Sequence, residues 1–170
     1  MNVVLVGYRG TGKSSVAQLL ADALGLRVIS LDAEIVRRAG KSIPEIVQEV
    51  GWAGFRDLEE EVVRACAAGD GQVIDCGGGV IEREANMAPL RAAGRVIWLD
   101  ASPQTIVARI KDDTQRPSLT GGKSFTEEVE EVLERRRPLY RRIANHVVAT
   151  DGLRIDEVAA RVLALVTTGA

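Results

Sequence analysis

The sequence predicts a doubly wound α/β domain, and two patterns along its 170 residues support that prediction. Short continuous apolar runs, which suit buried parallel strands, recur through the chain, and segments of helical spacing separate them. Strand and helix therefore alternate, as they do when helices cover both faces of a parallel sheet. A hydrophobic content of 46% allows a buried core, and the length fits a single domain over residues 1–170.

The predicted elements follow one another from the N-terminus. The predicted strands are 3–6, 28–31, 73–74, 96–99 and 146–149. The predicted helices are 14–24, 45–50, 55–68, 85–93, 105–110, 126–136 and 155–166. Ser42 and Glu45 have the spacing of a capping box, and Ser102 before Pro103 is typical of a helix start, so both pairs support the boundaries.

Charge and cysteine content argue against several classes of protein. The chain has 22 Lys plus Arg against 24 Asp plus Glu, so its net charge of -2 gives no reason to expect nucleic acid or a membrane surface as a partner. No segment resembles a signal peptide or a transmembrane helix. Cys66 and Cys76 are too few for a disulfide scaffold or a four-ligand zinc site. These observations favour a cytoplasmic protein.

The strongest functional signal is the segment GYRGTGKS at residues 7–14, which satisfies the phosphate-loop pattern GxxxxGKS between a predicted strand and a predicted helix. Its glycines let backbone N–H groups and the helix N-terminus converge on the phosphates of ATP. Lys13 is predicted to reach the β- and γ-phosphates, and Ser14 to offer its hydroxyl to Mg²⁺. The predicted ATP-binding residues of this segment are Gly10, Thr11, Gly12, Lys13, Ser14 and Ser15.

A long polar segment indicates which class of nucleotide-binding protein this is. Residues 111–125 are longer than most connections in a compact domain and are predicted to form a mobile lid. Within them Arg116 could bring a positive charge onto the migrating phosphoryl group, although it could equally be a plain loop arginine. The GTPase signature NKxD is absent, which leaves a compact small-molecule kinase with a lid.

Polar and glycine residues follow two of the predicted strands. Ser30 and Asp32 stand two residues apart at the end of the second strand, so their side chains leave the same face, toward the phosphate loop. That position suits Asp32 as a general base, and a helix-capping role is an equal alternative. Gly77–Gly79 follow the third strand, where a ligand could lie on backbone N–H groups, or the glycines could form a flexible turn.

Two arginines are candidates for binding an anion. Arg136 falls at helical spacing with Val129, Val132 and Leu133, so it is predicted to face inward, where a guanidinium pairs well with a carboxylate. Pro138 is expected to end or kink this helix. Arg56 precedes an amphipathic stretch, and its alternative role is a surface salt bridge with Glu59 or Glu60. The remaining arginines of the run, Arg135, Arg137, Arg141 and Arg142, are predicted to form a solvated face, and Trp52, Cys66, Trp98 and His146 to serve packing.

Together these motifs resemble the shikimate kinase family over nearly the whole chain. They are GYRGTGKS at 7–14, Asp32, GWAGFRDLE at 51–59, GGG at 77–79, RPSLTG at 116–121 and RRPLY at 136–140. The resemblance implies a P-loop fold of the nucleoside monophosphate kinase type, with a five-stranded parallel sheet flanked by helices. It also implies transfer of the γ-phosphoryl group of ATP, with Mg²⁺, to the 3-hydroxyl of shikimate in aromatic amino acid biosynthesis, by a monomer.

The resemblance also implies individual roles. Asp32 would contact the acceptor hydroxyls and act as base, and Arg56 and Arg136 would hold the shikimate carboxylate. The backbone of the glycine triplet, Gly77, Gly78 and Gly79, would donate hydrogen bonds to the same substrate. On the nucleotide side, lid residue Arg116 would contact the phosphates, Arg109 would stack near adenine, and Arg154 would belong to a second adenine loop at 151–154.

The chain departs from the family at the end of the second strand. The family usually has Asp-x-Asp there, with the first aspartate helping to organise hydrated Mg²⁺, whereas this chain has Ser30-Leu31-Asp32. Asp75, at the end of the neighbouring predicted strand, occupies a position where the family often has a small or hydroxyl residue. We therefore hypothesise that Asp75 replaces the absent carboxylate, with Ser30 as a weaker candidate near the metal. The alternative is a strand-end aspartate bonded to local backbone.

Two other functions remain open at this point. A pair of arginines would hold any carboxylate, so a kinase for another hydroxy acid such as gluconate is the first alternative. The second is a nucleotide-binding regulatory domain that has lost turnover, for which Ser30 is the one supporting feature. The presence of Lys13, Asp32 and Arg116 argues against it.

Overall fold

A five-stranded sheet lies at the centre of the computed structural model, which describes residues 1–110 and 124–168. Its strands are β1 Asn2–Val6, β2 Arg27–Ser30, β3 Gln72–Asp75, β4 Arg95–Asp100 and β5 His146–Ala149. They are all parallel and are ordered β2-β3-β1-β4-β5. The chain therefore extends from β1 first to one side and then to the other, which leaves a crevice at the carboxyl end of β1.

The helices pack on both faces of this sheet. They are α1 Lys13–Leu24, α2 Leu31–Ala39, α3 Ile43–Ala67, α4 Met87–Ala93, α5 Pro103–Ile110, α6 Phe125–Ile143 and α7 Ile155–Thr167. Alternate residues of β1 enter different cores, because Val4 and Val6 pack with residues of α2, α3 and α4, while Val3 and Leu5 pack with α1 and α7. None of the helices described is long and apolar enough to cross a membrane.

The observed elements confirm the predicted doubly wound class, and each predicted strand lies within two residues of an observed one. Helix α2 was missed, because the apolar run at 28–31 hides the point where β2 ends. Ser30 caps α2 by accepting a hydrogen bond from the Ala33 N–H at 3.2 Å, and Gly40 ends it with a φ of 68°. A serine before the helix and a glycine after it were therefore the available signals.

Two predicted helices, 45–50 and 55–68, correspond to the two segments of α3, which meet at a kink. Gly51 lies at this kink with φ 70° and ψ 177°, a non-helical backbone conformation that favours glycine, so helical segments lie on either side of it. The predicted capping box at its start is confirmed, since the side chains of Ser42 and Glu45 each accept a hydrogen bond from the other's backbone N–H.

Pro138 does not end its helix, because α6 runs through it to Ile143, so that part of the prediction is wrong and the kink stays a prediction. Buried residues lie on both sides of the proline, among them Leu133, Tyr140 and Ile143. Proline removes one helical hydrogen bond, and packing of this apolar stripe on both sides compensates for that loss. The ring itself lies on the exposed side of the helix.

The predicted lid lies largely outside the described residues. Residues 111–123 and 169–170 are not among those the structure describes, so the lid and Arg116 stay predictions. The last two residues of the predicted segment, Ser124 and Phe125, belong to the start of α6. Ser124 caps that helix by accepting a hydrogen bond from the Glu127 N–H at 3.2 Å.

Candidate active site

A cleft of about 330 Å³ opens at the carboxyl ends of β1, β2 and β3, where ligands bind in open α/β sheets. The lining residues come from the phosphate loop, from the ends of β2 and β3 and from the glycine segment that follows β3. They are Arg9, Gly10, Gly12, Lys13, Ser14, Ser15, Ser30, Asp32, Asp75, Cys76, Gly77 and Gly78. The structure therefore brings together most of the residues predicted for phosphate and acceptor.

The phosphate loop depends on glycine at positions where another residue would not fit. Gly10 and Gly12 have φ values of 83° and 93°, and a Cβ at Gly10 would lie 2.4 Å from a methyl carbon of Ile110. Gly12 directly precedes α1, so the N-terminus of that helix points into the cleft. The Thr11 hydroxyl donates to the Tyr8 carbonyl at 2.9 Å, so its side chain braces the loop instead of lining the cleft.

Lys13 and Ser14 begin α1 at the base of the cleft. The buried Lys13 ammonium donates to the carbonyls of Gly7 at 2.8 Å and Tyr8 at 3.0 Å, so it lies within the loop. The Ser14 hydroxyl donates to Asp75 Oδ2 at 2.7 Å. A positive charge and a hydroxyl–carboxylate pair thus stand side by side where the loop meets the helix.

Two carboxylates, Asp75 and Asp32, face this part of the cleft. Burial raises the pKa of Asp75, and the Asp32 carboxylate adds to that rise, while Lys13 and the hydrogen bond from Ser14 oppose it. Asp32 lies in the first turn of α2, where Oδ1 would be 2.7 Å from a Cβ on Gly77. The cap of α2 is Ser30 and not Asp32, so the capping alternative does not describe the role of Asp32.

Arg56 and Arg136 stand behind the glycine triplet, and both are buried. A Cβ at Gly79 would lie 2.1 Å from Arg56 Nη2, and a Cβ at Gly78 would lie 3.3 Å from Arg136 Nη1. The glycines therefore leave the space that the two guanidinium groups occupy. Two positive charges, from α3 and α6, therefore lie behind the glycine triplet although these helices are far apart in sequence.

The salt bridge predicted as the alternative role of Arg56 does form, but it is buried and does not lie on the surface. Arg56 Nη1 does donate to Glu59 Oε1 at 2.9 Å, but the two side chains are only 10% and 0% exposed. Trp52, which was assigned to packing, lies under the same guanidinium, with its ring centroid 5.3 Å from Cζ. This cation–π contact and the buried carboxylate hold Arg56 in one orientation.

Arg136 is held by weaker contacts. Its Cζ lies 5.5 Å from the centre of the Tyr8 ring, and its Nε is 3.6 Å from Glu82 Oε1, beyond hydrogen-bond distance. Among the described residues Nε has no hydrogen-bond partner. A buried guanidinium with an unused donor at Nε favours an anionic ligand, because burying such a donor without a partner costs free energy.

Several residues of the site were not found by sequence reasoning. Tyr8 contacts Arg136, Arg9 and Cys76 line the cleft, and the Tyr140 hydroxyl donates to the Gly78 carbonyl, while Glu59 was considered only as a surface partner of Arg56. Burial raises the pKa of Tyr140 to about 12, so this hydroxyl keeps its proton. The available signals were the i, i+3 spacing of Arg56 and Glu59 and the place of Tyr140 on the buried stripe of α6.

The two described residues predicted for the adenine side differ in position, because only Arg109 contacts the phosphate loop. Arg109 donates to the Gly10 carbonyl at 3.1 Å, so it lies against the phosphate loop. The start of α7 is also close, since a Cβ at Gly12 would lie 2.8 Å from Ile155 Cδ1. Arg154 itself is exposed and pairs with Asp156 at 3.0 Å, away from the residues that line the cleft. A role of Arg154 in binding ATP stays a prediction.

The oxygen ligands at the base of the cleft suit Mg²⁺. No group of three or more His, Cys, Asp or Glu that could hold a metal occurs in 1–110 and 124–168. Mg²⁺ in kinase sites keeps several waters and is bound by one or two carboxylates together with substrate phosphates, so it needs no such group. The Ser14 hydroxyl and the Asp75 carboxylate, 2.7 Å apart beside the phosphate loop, fit that requirement.

Comparison with known proteins agrees with this geometry. The family described as shikimate kinase matches residues 9–167. Shikimate kinase from Thermodesulfovibrio yellowstonii is 39% identical, covering 95% of this chain and 92% of its own, and that from Rhodopirellula baltica is 42% identical, covering 95% and 88%. The structure of Acinetobacter baumannii shikimate kinase in complex with shikimate has a TM-score of 0.92 at 32% identity, covering 96% of this chain and 91% of that one. The chain belongs to the shikimate kinase family.

Proposed function

We propose that this protein transfers the γ-phosphoryl group of ATP to the 3-hydroxyl of shikimate, giving shikimate 3-phosphate and ADP in aromatic amino acid biosynthesis. The supporting observation is a cleft that brings a phosphate loop, Asp32 and the glycine segment together, with two buried arginines directly behind the glycines. Membership of the family and the relative whose structure contains shikimate support the same substrate. The gluconate and regulatory alternatives have no comparable support.

The phosphate side of the site positions ATP. Phosphoryl transfer depends on placement and on charge stabilisation more than on covalent chemistry by the protein. Backbone N–H groups of residues 10–15 and the N-terminus of α1 bind the phosphate oxygens. Lys13 exchanges its hydrogen bonds to Gly7 and Tyr8 for the β- and γ-phosphates. Bound Mg²⁺ supplies positive charge that offsets the charge on the transferring group, and Ser14 and Asp75 are the residues that would hold it.

The acceptor side of the site positions shikimate. Arg56 and Arg136 pair with the carboxylate of the substrate, and the backbone of Gly77–Gly79 donates hydrogen bonds to it. This orientation brings the 3-hydroxyl to Asp32, which accepts the hydroxyl proton as the oxygen attacks the γ-phosphorus. Arg109 lies against the phosphate loop on the nucleotide side, and the resemblance to the family assigns Arg154 to adenine and Arg116 to the phosphates.

We also propose that the enzyme acts as a monomer in the cytoplasm, without a nucleic-acid or membrane partner. The residues assigned to both substrates come from one chain, so no second copy is needed to complete the cleft. The two cysteines are free, in keeping with a reducing compartment. Light scattering during gel filtration, with activity measured over a range of enzyme concentrations, tests the oligomeric state.

A coupled assay of ADP release tests the proposed reaction. The acceptors are shikimate, quinate, gluconate and nucleoside monophosphates, each with saturating ATP and Mg²⁺. We expect rapid turnover with shikimate alone, and phosphorus NMR of the product should show a phosphate ester at the 3-position. If turnover were faster with gluconate than with shikimate, gluconate and not shikimate would be the substrate. ATP binding without turnover of any acceptor would favour the regulatory alternative.

A further inference from the structure

We infer that Asp75, at the end of β3, supplies the carboxylate that holds the water shell of the metal ion bound with ATP. The inference deepens the proposed function and rests on it, because the metal enters the site with the nucleotide. Asp75 directly precedes the glycine segment. The inference assigns different roles to the two carboxylates of the cleft, Asp75 and Asp32.

The first observation is the position of Asp75 in the sheet. It is the last residue of β3, and it pairs in register with Leu5 of β1 on one side and Ser30 of β2 on the other. The phosphate loop leaves β1 two residues after Leu5. A carboxylate at the end of β3 therefore stands beside the loop, whatever the side chains around it.

The second observation is the contact that Asp75 makes. Its Oδ2 accepts a hydrogen bond from the Ser14 hydroxyl at 2.7 Å, and this is the hydroxyl that the phosphate-loop pattern assigns to the metal. In P-loop proteins of several classes the metal is held by that hydroxyl together with an aspartate of the Walker B type. The sequence of β3, QVID, places an aspartate directly after apolar residues.

The other polar residues nearby have different partners. The Ser30 hydroxyl accepts a hydrogen bond from the Ala33 N–H and caps α2. Asp32 lies against Gly77, on the side of the glycine triplet and the two arginines. Asp75 is thus the carboxylate nearest to Ser14, and Asp32 is left to face the acceptor.

Burial argues that Asp75 does more than orient Ser14. The residue is only 7% exposed, and burying a carboxylate is costly unless a positive charge compensates it. A serine or asparagine could accept the same hydrogen bond without that cost. Lys13 compensates this buried charge in part, and a metal cation bound beside Ser14 would compensate it further.

Metal affinity in the nucleotide complex tests the inference without depending on turnover or on shikimate. Free Mn²⁺ is measured by electron paramagnetic resonance as it is titrated into enzyme with a non-hydrolysable ATP analogue. Asp75→Asn keeps a hydrogen-bond acceptor for Ser14 but removes the charge. We expect it to weaken Mn²⁺ binding by about tenfold or more, as changes beside a metal ligand commonly do. Asp75→Ser, a smaller side chain, should give the same loss.

Rescue from the neighbouring strand separates a metal role from a purely structural one. Aspartate is as good a helix cap as serine, so Ser30→Asp should keep α2 intact. Added to Asp75→Asn, it should restore most of the Mn²⁺ affinity, because the carboxylate returns at the same level of the sheet. The matched control is Asp100→Asn at the end of β4, where Asp100 pairs with Arg137, and Mn²⁺ affinity should not change.

Two results would overturn the inference. One is Mn²⁺ affinity within twofold of the parent enzyme in both Asp75 variants, each shown to be folded by its thermal unfolding. The other is a loss that Ser30→Asp does not reverse, which would mean that Asp75 acts only through Ser14. If the parent enzyme binds Mn²⁺ and nucleotide but does not phosphorylate shikimate, the proposed function fails while this inference stands.

Discussion

Burial distinguishes Arg56 and Arg136 from every other arginine in the described parts of the chain. Several exposed arginines pair with acidic neighbours at the surface, as Arg142 does with Glu84, and such pairs contribute little. The two buried guanidinium groups instead lie behind the glycine triplet, and Nε of Arg136 is an unused donor. A planar group with several fixed donors in this setting is suited to a carboxylate ligand.

Removing one buried arginine should impair the use of shikimate specifically. We expect Arg136→Ala to lower kcat/KM for shikimate, with a loss of transition-state stabilisation of ~2 to 5 kcal/mol. The reason is that the substrate carboxylate would then lie in the site without its partner. Arg56→Ala should behave similarly, and the KM for ATP should hardly change in either variant. Steady-state kinetics with each substrate varied measures both effects.

The control for this experiment is Arg142→Ala, which removes an exposed arginine from the same helix as Arg136. Its kinetics should match those of the parent enzyme. An equal loss in the Arg136 variant with an acceptor that lacks the carboxylate would mean that this arginine acts elsewhere.

Asp32 is expected to act in the chemical step more than in binding. In Asp32→Asn the amide cannot accept the hydroxyl proton, so kcat should fall by about two orders of magnitude or more while shikimate still binds. Rapid-quench kinetics and calorimetric titration of shikimate measure the two quantities separately. A change confined to KM would reduce Asp32 to a binding residue.

At the scale of elements, the site depends on helices that start and bend at defined residues. α3 carries Arg56 beyond its bend at Gly51, and α6 carries Arg136 before Pro138. Each helix begins with a serine whose side chain accepts a hydrogen bond from the backbone three residues later. These caps set where each helix begins, and hence which of its residues face the cleft.

Removing the cap of α3 should cost stability without changing the chemistry. We expect Ser42→Ala to lower the free energy of unfolding by about 1 kcal/mol, because the Glu45 N–H loses its side-chain acceptor. Urea denaturation followed by circular dichroism measures the change. The kcat of the folded enzyme should be that of the parent, and a stability loss below the error of the measurement would contradict the assigned cap.

At the scale of the whole molecule, Asp151 connects two segments that both approach the phosphate loop. Its carboxylate follows β5 and accepts hydrogen bonds from the Ser102 backbone N–H at 3.0 Å and from the hydroxyls of Thr105 and Ser102 at the start of α5. The hydrogen bond from Thr105, followed by those from Ser102, lowers the pKa of Asp151 below its usual value. The connection should therefore depend on pH.

Because the pKa of Asp151 is lower in the folded state, its contribution to stability is present above the ordinary pKa of an aspartate and is lost as the pH falls. Asp151→Asn should thus be less stable than the parent near neutral pH. The difference should shrink as the pH drops below about 4. Thermal unfolding of both proteins over this pH range checks the sign, and a difference that is constant with pH would contradict it.

The sequence by itself determined the features that depend on local pattern. The glycines of the phosphate loop specify backbone conformations that other residues avoid, and the apolar runs specify buried strands, so the fold class and the nucleotide side of the site could be predicted. The inward direction of Arg136 also followed from helical spacing. The resemblance to the family then supplied the substrate and assigned residues such as Asp32 and Arg56 to it.

Only the tertiary structure decided which residues meet across the sheet. The contact of Asp75 with Ser14 joins residues 61 positions apart, and it exists because β3 lies beside β1 in a particular register. The buried pairing of Arg56 with Glu59 and the continuation of α6 through Pro138 likewise depend on what packs against each helix. Local periodicity fixes the direction of a side chain from its own element. Its neighbours and its burial depend on strand order and register, which no short stretch of sequence contains.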